Sequence, residues 1–571
     1  MGDAVSYDAW AQKIAGGDWL GHGVFYQAPL YPYFMGAIYA VCGKGFLALR
    51  LVQIVIGATS CVLLARAGKS FFNKNTGLLA GALLAVCPAA IFFDGSIQKS
   101  VLDVFLVCAM LAILGRLHER SDGRWWAAAG TILGLLALTR ENALVFLPVI
   151  LLWLFVAWNR ELWAKRIRWA GLLLLGLGGV LLPVAGRNKF VGGEFHLTTS
   201  QSGANFYIGN NRNADGFYNP LVWGHGSAKF ERDDATALAE QALGRALSPG
   251  EVSHYWTAKA LDEIQENPPR WLKLLGWKWL LVWNVSEAGD TDDPNTYGEW
   301  SALLKILNPV LNFGTICPLA VLGVCLTWPR RRELSLLYLM TLVYAASVAL
   351  FYVFSRYRFP LTPILLLFAA GGLANVRAAF REWPAKRAII GVATAIIVAV
   401  ICNHPAVAEN DTRGITHYNI AVNLVNQKGD PDRALPHYFE AIRLKPDFAA
   451  AHHDLGVLLS KKGRISEAVS ELQLAVRYRP DYPEAYNNLG AVMVSQGKLD
   501  DAMVYITKAV ELNPDYAEAH YFLGLLLANQ GKAGEAISHL QIATRLNPAD
   551  ARFREALESV QRKGGSPTEI R

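Results

Sequence analysis

Aspartates open this chain: Asp3, Asp8 and Asp18 fall within MGDAVSYDAWAQKIAGGDWL, ahead of long apolar runs. Carboxylates at such a place have no packing role to explain them. A carboxylate held near a hydroxyl does one kind of chemistry well, taking the hydroxyl's proton while its oxygen attacks. Cations supply the other half of a candidate site. Asp94 and Lys99 in FFDGSIQKS, Arg140 and Glu141 in LTRENA, Arg187 in AGRNKF, and Arg356 and Arg358 in FSRYRFPLTP all stand at the ends of apolar runs. These cations outnumber the acids beside them, Asp94 and Glu141. A charge in a membrane needs a partner or a task, since mid-bilayer burial costs about 2.5–3.5 kcal/mol or more. Arginine's planar fork matches the oxygens of a phosphate. Acids beside such cations suit a lipid-linked phosphate at one face of a membrane. The plainer readings are a solvated loop for the acids, with Asp18 in GGDWL as a turn or cap, and structural ion pairs for the arginines.

The elements that must position these residues follow from hydropathy. The chain has 571 residues, 53% hydrophobic and 18% charged, but the average hides a division. Up to about residue 403 apolar runs alternate with short basic loops; from about 414 onward the composition is that of a soluble helical protein. A spanning helix needs roughly 20 apolar residues. The runs expected to span are 48–65, 77–93, 100–116, 125–139, 142–158, 169–186, 305–328, 334–354, 359–376 and 388–403. Basic residues mark every second loop: Arg66, Lys69 and Lys74; Arg116, Arg120 and Arg124; Arg160, Lys165, Arg166 and Arg168; Arg330, Arg331 and Arg332; Arg377, Arg381, Lys386 and Arg387. That alternation is what cytoplasmic loops show. The candidate site, the 187–304 segment and the C-terminal region then lie on the outer face. The net charge of +7 reports this orientation rather than nucleic-acid binding.

Two apolar segments fail as spans. PLYPYFMGAIYAV (29–41) is short with two prolines, and PRWLKLLGWKWLLVW (269–283) is short with four tryptophans and two lysines. Both read as helices lying in the outer interface. The stretch 187–268 is a small lid-like outer segment, rich in Gly, Asn and Thr at first and helical later. The seven cysteines form no CxxC and are absent from the soluble regions, so they read as small buried apolar residues. No metal-ligand spacing stands out. No basic-then-apolar signal precedes the opening.

The soluble half repeats. Proline recurs at 446, 480, 514 and 548, alanine at 434, 468, 502 and 536 and again at 441, 475, 509 and 543, and glycine at 456, 490 and 524. KPDFAAAHHDLG, RPDYPEAYNNLG and NPDYAEAHYFLG align with a 34-residue period, which resembles the tetratricopeptide repeat. Four repeats and a capping helix are expected over 414–562, with a flexible tail at 563–571. Such an array is a binding module with a concave surface for a peptide or protein partner. His452 and His453 tempt a metal reading; the expectation is that one packs between helices and the other faces solvent.

The first 380 or so residues resemble the polytopic GT-C glycosyltransferases, within them glycosyltransferase family 39: the dolichyl- or undecaprenyl-phosphate-sugar-dependent protein mannosyltransferases and aminoarabinose transferases. The resemblance rests on the order and spacing of GDAVSYDAWAQKIAGGDW, QAPLYPYFMGAIYAVCG, FDGSIQKSVLDVFL, LTRENALVFLP, RNKFVGGEFHLTTSQSGANFYIGNN and RYRFPLTPILLLFAAGGL. It implies an all-α fold with an outer first loop and interfacial helix over 1–47 and a polytopic domain of about ten spans over 48–403. It implies a catalytic acid in that first loop. Asp3 matches it as general base on an acceptor hydroxyl, with inversion at the sugar; Asp8 is a second candidate, and Ala4 stands where relatives often show another acid. The family carries a helix before this loop that this sequence lacks, so the expectation is either a start drawn one helix late or a degenerate relative. For the donor phosphate the resemblance points to Arg358 and Arg356 first, then Lys99 and Arg140, with Tyr7, Tyr26 and Tyr357 lining the sugar or lipid path. It implies no cofactor, a divalent metal being left open. GT-C cores joined to tetratricopeptide repeats also occur in eukaryotic O-mannosyltransferases, which hints at a protein acceptor held by the repeats.

The function expected is sugar transfer from a polyprenyl-phosphate donor to a hydroxyl of a protein, glycolipid or glycan on the outer face, in a bacterial inner membrane with the repeats on the periplasmic side. The alternative is a catalytically inactive, membrane-anchored repeat scaffold for envelope assembly. The cation set favours the enzyme; the single acid favours the scaffold. A transporter is disfavoured, since the spans hold neither midplane polar residues in broken helices nor internal repeats.

Overall fold

The computed structural model describes residues 2–120, 122–222, 228–286, 293–382, 385–406, 408–426 and 429–562. They are helical, with no strand among them. The chain divides into two compact units, Met1–Thr412 and Arg413–Arg571.

The first unit opens on α1 (Gly2–Ala15), where the sequence had suggested a loop. Tyr7, Ala11 and Ile14 recur at helical spacing and are buried, so this segment has an apolar stripe after all. The stripe packs on α2 (Leu30–Cys42), the expected interfacial helix. Tyr7 meets Tyr31 edge-on at 5.4 Å. Then come α3 (Phe46–Phe71), α4 (Lys74–Ala85), α5 (Pro88–Gly95), α6 (Ser100–Glu119), α7 (Gly123–Ala137), α8 (Phe146–Ala157) and α9 (Trp163–Gly192). An outer segment follows with α10 (Ser202–Asn210), α11 (Ala228–Leu243), α12 (Pro249–Glu266), α13 (Pro268–Trp283), and the short α14 (Pro294–Tyr297) and α15 (Ala302–Leu307). The unit closes with α16 (Phe313–Leu326), α17 (Ser335–Ala349), α18 (Ser355–Arg358), α19 (Thr362–Glu382) and α20 (Ala385–Asn403).

Ten apolar helical elements thus stand where ten spans were expected, but they are unequal. Among the described residues α3, α6, α9 and the Ser355–Ala374 stretch are each long and apolar enough to cross a membrane alone. α4 and α5 are apolar enough only as a pair, which is bent by 53° at its break, the geometry of a broken span or a re-entrant loop. The bend falls at Pro88, which has no N–H to give the preceding turn. The expected 305–328 span is shorter than its hydropathy suggested: the chain breaks after Leu307 and α16 restarts at Phe313, with Asn312 and Thr315 forming a reciprocal cap. Glycines let the helices touch. A Cβ on Gly130 of α7 would lie 1.9 Å from the Leu173 carbonyl oxygen, and one on Gly323 of α16 would lie 1.8 Å from that of Phe368 in α19. Small residues at crossings are how apolar helices gain contact in lipid, where burial of greasy surface drives nothing.

The basic loops gather at one end. Arg330 donates to the Phe71 carbonyl at 2.8 Å, tying the α16–α17 loop to the end of α3. Arg120, Arg124, Lys165 and Arg168 line a single groove there. The side chains of Arg377, Arg381, Lys386 and Arg387 lie outside the described residues. The opposite ends of the same helices carry the candidate site.

The second unit is the expected repeat. Its pairs are α21 (Glu409–Asn426) with α22 (Pro431–Leu444), α23 (Ala449–Lys461) with α24 (Ile465–Tyr478), α25 (Pro483–Ser495) with α26 (Leu499–Leu512), and α27 (Ala517–Asn529) with α28 (Ala533–Leu546). The helix α29 (Ala551–Arg562) caps the array; residues 563–571 lie outside the described ones. The periodic alanines are fully buried, and a Cβ on Gly490 would lie 2.4 Å from Ile506 Cγ1. Gly490→Leu is therefore expected to force α25 off α26 and to destabilise the unit by about 1–3 kcal/mol. Faster limited proteolysis of this unit in the membrane-inserted full chain would register it; unchanged resistance would contradict the close crossing. His452 is buried between Glu471 and the Pro446 carbonyl, as expected for one of the two histidines. His453 does not face solvent: its ring is bonded to Asp454 and Asn488 and lies against Tyr482.

Candidate active site

Asp3 sits in the first turn of α1, and three distant segments converge on it. Arg356 of α18 donates from Nη1 to Asp3 Oδ2 at 2.5 Å, and Gln27 donates from Nε2 to Oδ1 at 3.1 Å. The same Nη1 reaches Gln98 Oε1 at 3.3 Å. Burial raises the Asp3 carboxyl's proton affinity, but the charges of Arg356 and then Lys99 more than reverse this, so its pKa falls below the ordinary value.

Arg140 completes the frame from the α7–α8 junction. Its Nε donates to Asp103 Oδ2 at 2.5 Å, both side chains being almost wholly buried. Its guanidinium lies 4.8 Å over the Tyr357 ring, and that of Arg356 lies 5.3 Å from the same ring, so Tyr357 is shared by two cations. Lys99 stands just before α6, half-buried; its carbonyl accepts from Leu102 and Asp103, while its ammonium has no ion-pair or hydrogen-bond partner among the described residues. Burial first, and then the charge of Arg140, lower it to about 8. Lys99, Arg140, Asn205, Ser347, Tyr352 and Tyr357 line one cleft. Glu141, also in that cleft, accepts the Thr199 hydroxyl. Asp103 and Asp3 pair with the two arginines, and the Lys99 charge acts on Glu141 in the same cleft.

The structure separates the remaining cations and acids from this cleft. Arg358 was expected to contact phosphate; instead its buried guanidinium donates to the carbonyls of Leu281 (3.0 Å), Asn284 (2.5 Å) and Ser286 (3.0 Å) and lies 4.2 Å over Phe313. It ties the end of α13 to α16. Arg187 donates to the carbonyls of Leu20 and Gly23 and lies 3.8 Å over Phe25, so it fixes the chain between α1 and α2. Asp8 accepts from Tyr39 (2.8 Å) and Gln12 (2.7 Å) and joins α1 to α2 rather than serving as a second acid in the cleft. Asp18 caps a turn at Gly21, as its GGDWL context suggested. Asp94 lies against Gly57 in a groove between α3 and α6. Of the tyrosines, Tyr357 lines the cleft, Tyr7 is buried within electrostatic reach of Asp3, and Tyr26 stands beside Glu231.

Two residues escaped the sequence. Lys278 looked like an interfacial anchor, yet it is fully buried. Its Nζ donates to the carbonyls of Phe351 (2.7 Å) and Gly209 (3.1 Å) and to Asn210 Oδ1 (3.0 Å), and burial lowers it to about 7. It pins α13 to α10 and to the strand-like run before α18. Glu231, in the polar run KFERDDA, was not singled out by the sequence; it stands half-buried in the first turn of α11, beside Tyr26. Only its helical register against α1 marks it, and the sequence does not disclose that packing.

Fold and site together define a polytopic, all-helical membrane protein with a cleft lined by Lys99 and Arg140, followed by a helical-repeat domain. Residues 26–184 match the family described as dolichyl-phosphate-mannose-protein mannosyltransferase. Residues 458–497 match the TPR repeat and 493–560 the tetratricopeptide repeat. The chain thus joins a segment similar to that mannosyltransferase family to C-terminal tetratricopeptide repeats, as the motifs suggested. The matched segment contains Lys99 and Arg140; Asp3 and Arg356 lie outside it. No curated protein matches the chain significantly. Among solved structures, YrrB, titled a TPR protein with an unusual peptide-binding site, is 28% identical over 26% of this chain and 77% of its own, with a TM-score of 0.24. A MamA fragment from Desulfovibrio magneticus RS-1 is 22% identical over 28% of this chain and 88% of its own, with a TM-score of 0.25.

Proposed function

We propose that the chain is a membrane glycosyltransferase that moves a sugar from a polyprenyl-phosphate donor to a hydroxyl of a protein, or of a glycolipid or glycan, on the outer face of the membrane. The observation that carries this reading is the Asp3 carboxylate held beside Arg356, whose guanidinium lies 5.3 Å from the Tyr357 ring, while Tyr357 lines a cleft with Lys99, whose ammonium has no hydrogen-bond or ion-pair partner among the described residues. In this reading the donor phosphate is received by Lys99, Arg356 and Arg140. The phosphate then shares the charge of Arg356, which had held Asp3 as a weak base, so donor binding itself makes Asp3 a better one. The acceptor oxygen attacks the sugar's anomeric carbon and its proton passes to Asp3. The bond from that carbon to the phosphate oxygen breaks, leaving the polyprenyl phosphate, and configuration inverts. No cofactor enters the scheme. The tetratricopeptide repeats hold a protein or peptide acceptor on the periplasmic side of a bacterial inner membrane, and nucleic acid has no part.

One observation favours a second reading. Asp8 does not reach the cleft and Asp3 is already paired, which suits an inactive, repeat-bearing scaffold. Undecaprenyl phosphate separates the two. The full chain in nanodiscs is expected to unfold at a higher temperature with undecaprenyl phosphate than with undecaprenol, which lacks only the phosphate. Equal shifts would remove the phosphate site and leave the scaffold.

A further inference from the structure

A basic groove lies at the end of the membrane unit opposite the candidate active site. It measures about 820 Å³ and runs between the first turns of α7 and α9, beside the end of α6. Arg120, Arg124, Lys165 and Arg168 line it, with Asp122 as the one acid among the lining residues. Trp169 and Leu172 give it an apolar wall, and the Lys165 ammonium stands 4.9 Å from the Trp169 ring. Arg124 is paired with Asp122 at 2.6 Å and Lys165 with Glu161 at 2.9 Å. The side chains of Arg120 and Arg168 are exposed and make no ion pair or hydrogen bond among the described residues.

Cations are the general rule in loops on the cytoplasmic side of a membrane, so charge alone singles out no ligand. The convergence of two loops on one groove does. The α6–α7 and α8–α9 connections, with the turns that follow them, supply all four cations. Counting Glu161 with Asp122, four positive charges meet two negative ones, a surplus of two. Arg124 and Lys165 also stand in the first turns of their helices, where the helix dipole opposes a cation. Contacts within the chain therefore do not account for this cluster. The surroundings point to a lipid rather than a soluble anion. α9 is long and apolar enough to cross a membrane, and past the groove it exposes Leu174 and Leu175. A lipid whose headgroup sits in the groove lays its acyl chains along these residues.

We propose that this groove is a binding site for the phosphate headgroup of an anionic phospholipid, with Arg120 and Arg168 as its principal ligands and α9 as the bed of the acyl chains. Basic pockets between transmembrane helices take such headgroups, and guanidinium forks match phosphate oxygens. The site is independent of sugar transfer, since none of its residues lines the cleft of Lys99 and Arg140. A phosphate free in solution would meet the same cations, and the test separates the two.

The test is native mass spectrometry of the full chain in detergent, titrated with cardiolipin, phosphatidylcholine or inorganic pyrophosphate. Cardiolipin carries two phosphates and no balancing cation. It is expected to bind roughly tenfold more tightly than phosphatidylcholine, and less tightly as salt rises. Arg120→Gln combined with Arg168→Gln is expected to weaken cardiolipin by roughly 5–30-fold. Arg331→Gln combined with Arg332→Gln takes the same charge from another loop at that end and is expected to leave the affinity unchanged. All four arginines are exposed, so both double variants are expected to unfold at the wild-type temperature. An equal loss of affinity in the two double variants overturns the groove, since the charge of the whole face is then what binds. Wild-type chain that binds cardiolipin no more tightly than phosphatidylcholine, or without salt dependence, overturns it with no variant needed. Pyrophosphate that binds as tightly as cardiolipin overturns the lipid and makes a soluble phosphate the ligand.

Discussion

Asp3→Asn is expected to lower sugar transfer by roughly 10²–10⁴-fold, the range typical of a lost general base. The substitution keeps the shape of the side chain and its hydrogen bond from Gln27, and it removes the charge. Arg356 loses one partner but keeps the Gln98 oxygen and the Phe354 and Tyr357 rings around its guanidinium. The cleft then carries one more uncompensated positive charge, so donor affinity is expected to hold or to tighten. A fall in turnover with unchanged or tighter undecaprenyl phosphate binding, in protein of normal protease resistance, separates lost chemistry from lost structure. Asp3→Ala would confuse the two, because it also strips Gln27 of its partner.

Lys99→Ala carries the second large effect, on binding rather than turnover. Arg140 is committed to Asp103 and Arg356 to Asp3, whereas Lys99 makes no competing contact among the described residues. Its ammonium donates to no protein group among the described residues and is open to a phosphate. A hydrogen bond to a charged group is worth about 1.5–3 kcal/mol, so undecaprenyl phosphate should bind some ten- to a hundred-fold more weakly to Lys99→Ala. The free ammonium is lowered to about 8, so wild-type affinity is also expected to decline as pH rises through 8, when the unliganded lysine gives up its proton. In Lys99→Ala that decline should vanish. Arg358→Ala is the contrast: its guanidinium serves backbone carbonyls around α13, so the variant should lose stability without a specific loss of phosphate affinity. A titration in nanodiscs across that pH range reads all three chains.

The sequence disclosed the scaffold well. Apolar runs and alternating basic loops are one-dimensional signals, and a 34-residue period of small residues fixes helix crossings without help from distant parts of the chain. Lys99, Arg140 and Arg356 were singled out for standing at the ends of apolar runs and Asp3 for its place in an acidic opening, and these segments do meet. The failures have one cause. An arginine at a helix end looks the same whether its fork meets a phosphate or a set of carbonyls. Arg358 and Arg187 turned out to serve carbonyls because the breaks after α13 and before α2 present backbone oxygens to them. α1 was hidden because its stripe of Tyr7, Ala11 and Ile14 is narrow and interrupted by aspartates. Lys278 owes its place to packing across segments far apart in the chain, and no local spacing encodes that.

The account stands or falls on whether this cleft transfers sugar. The most direct measurement is mass spectrometry of envelope proteins and glycolipids from cells lacking the chain, rescued by wild type or by Asp3→Asn at equal membrane abundance. A sugar modification that returns with wild type and not with Asp3→Asn is the predicted result, and the modified molecule identifies the acceptor. Equal rescue by both chains would contradict the account and leave the repeats as the part that matters.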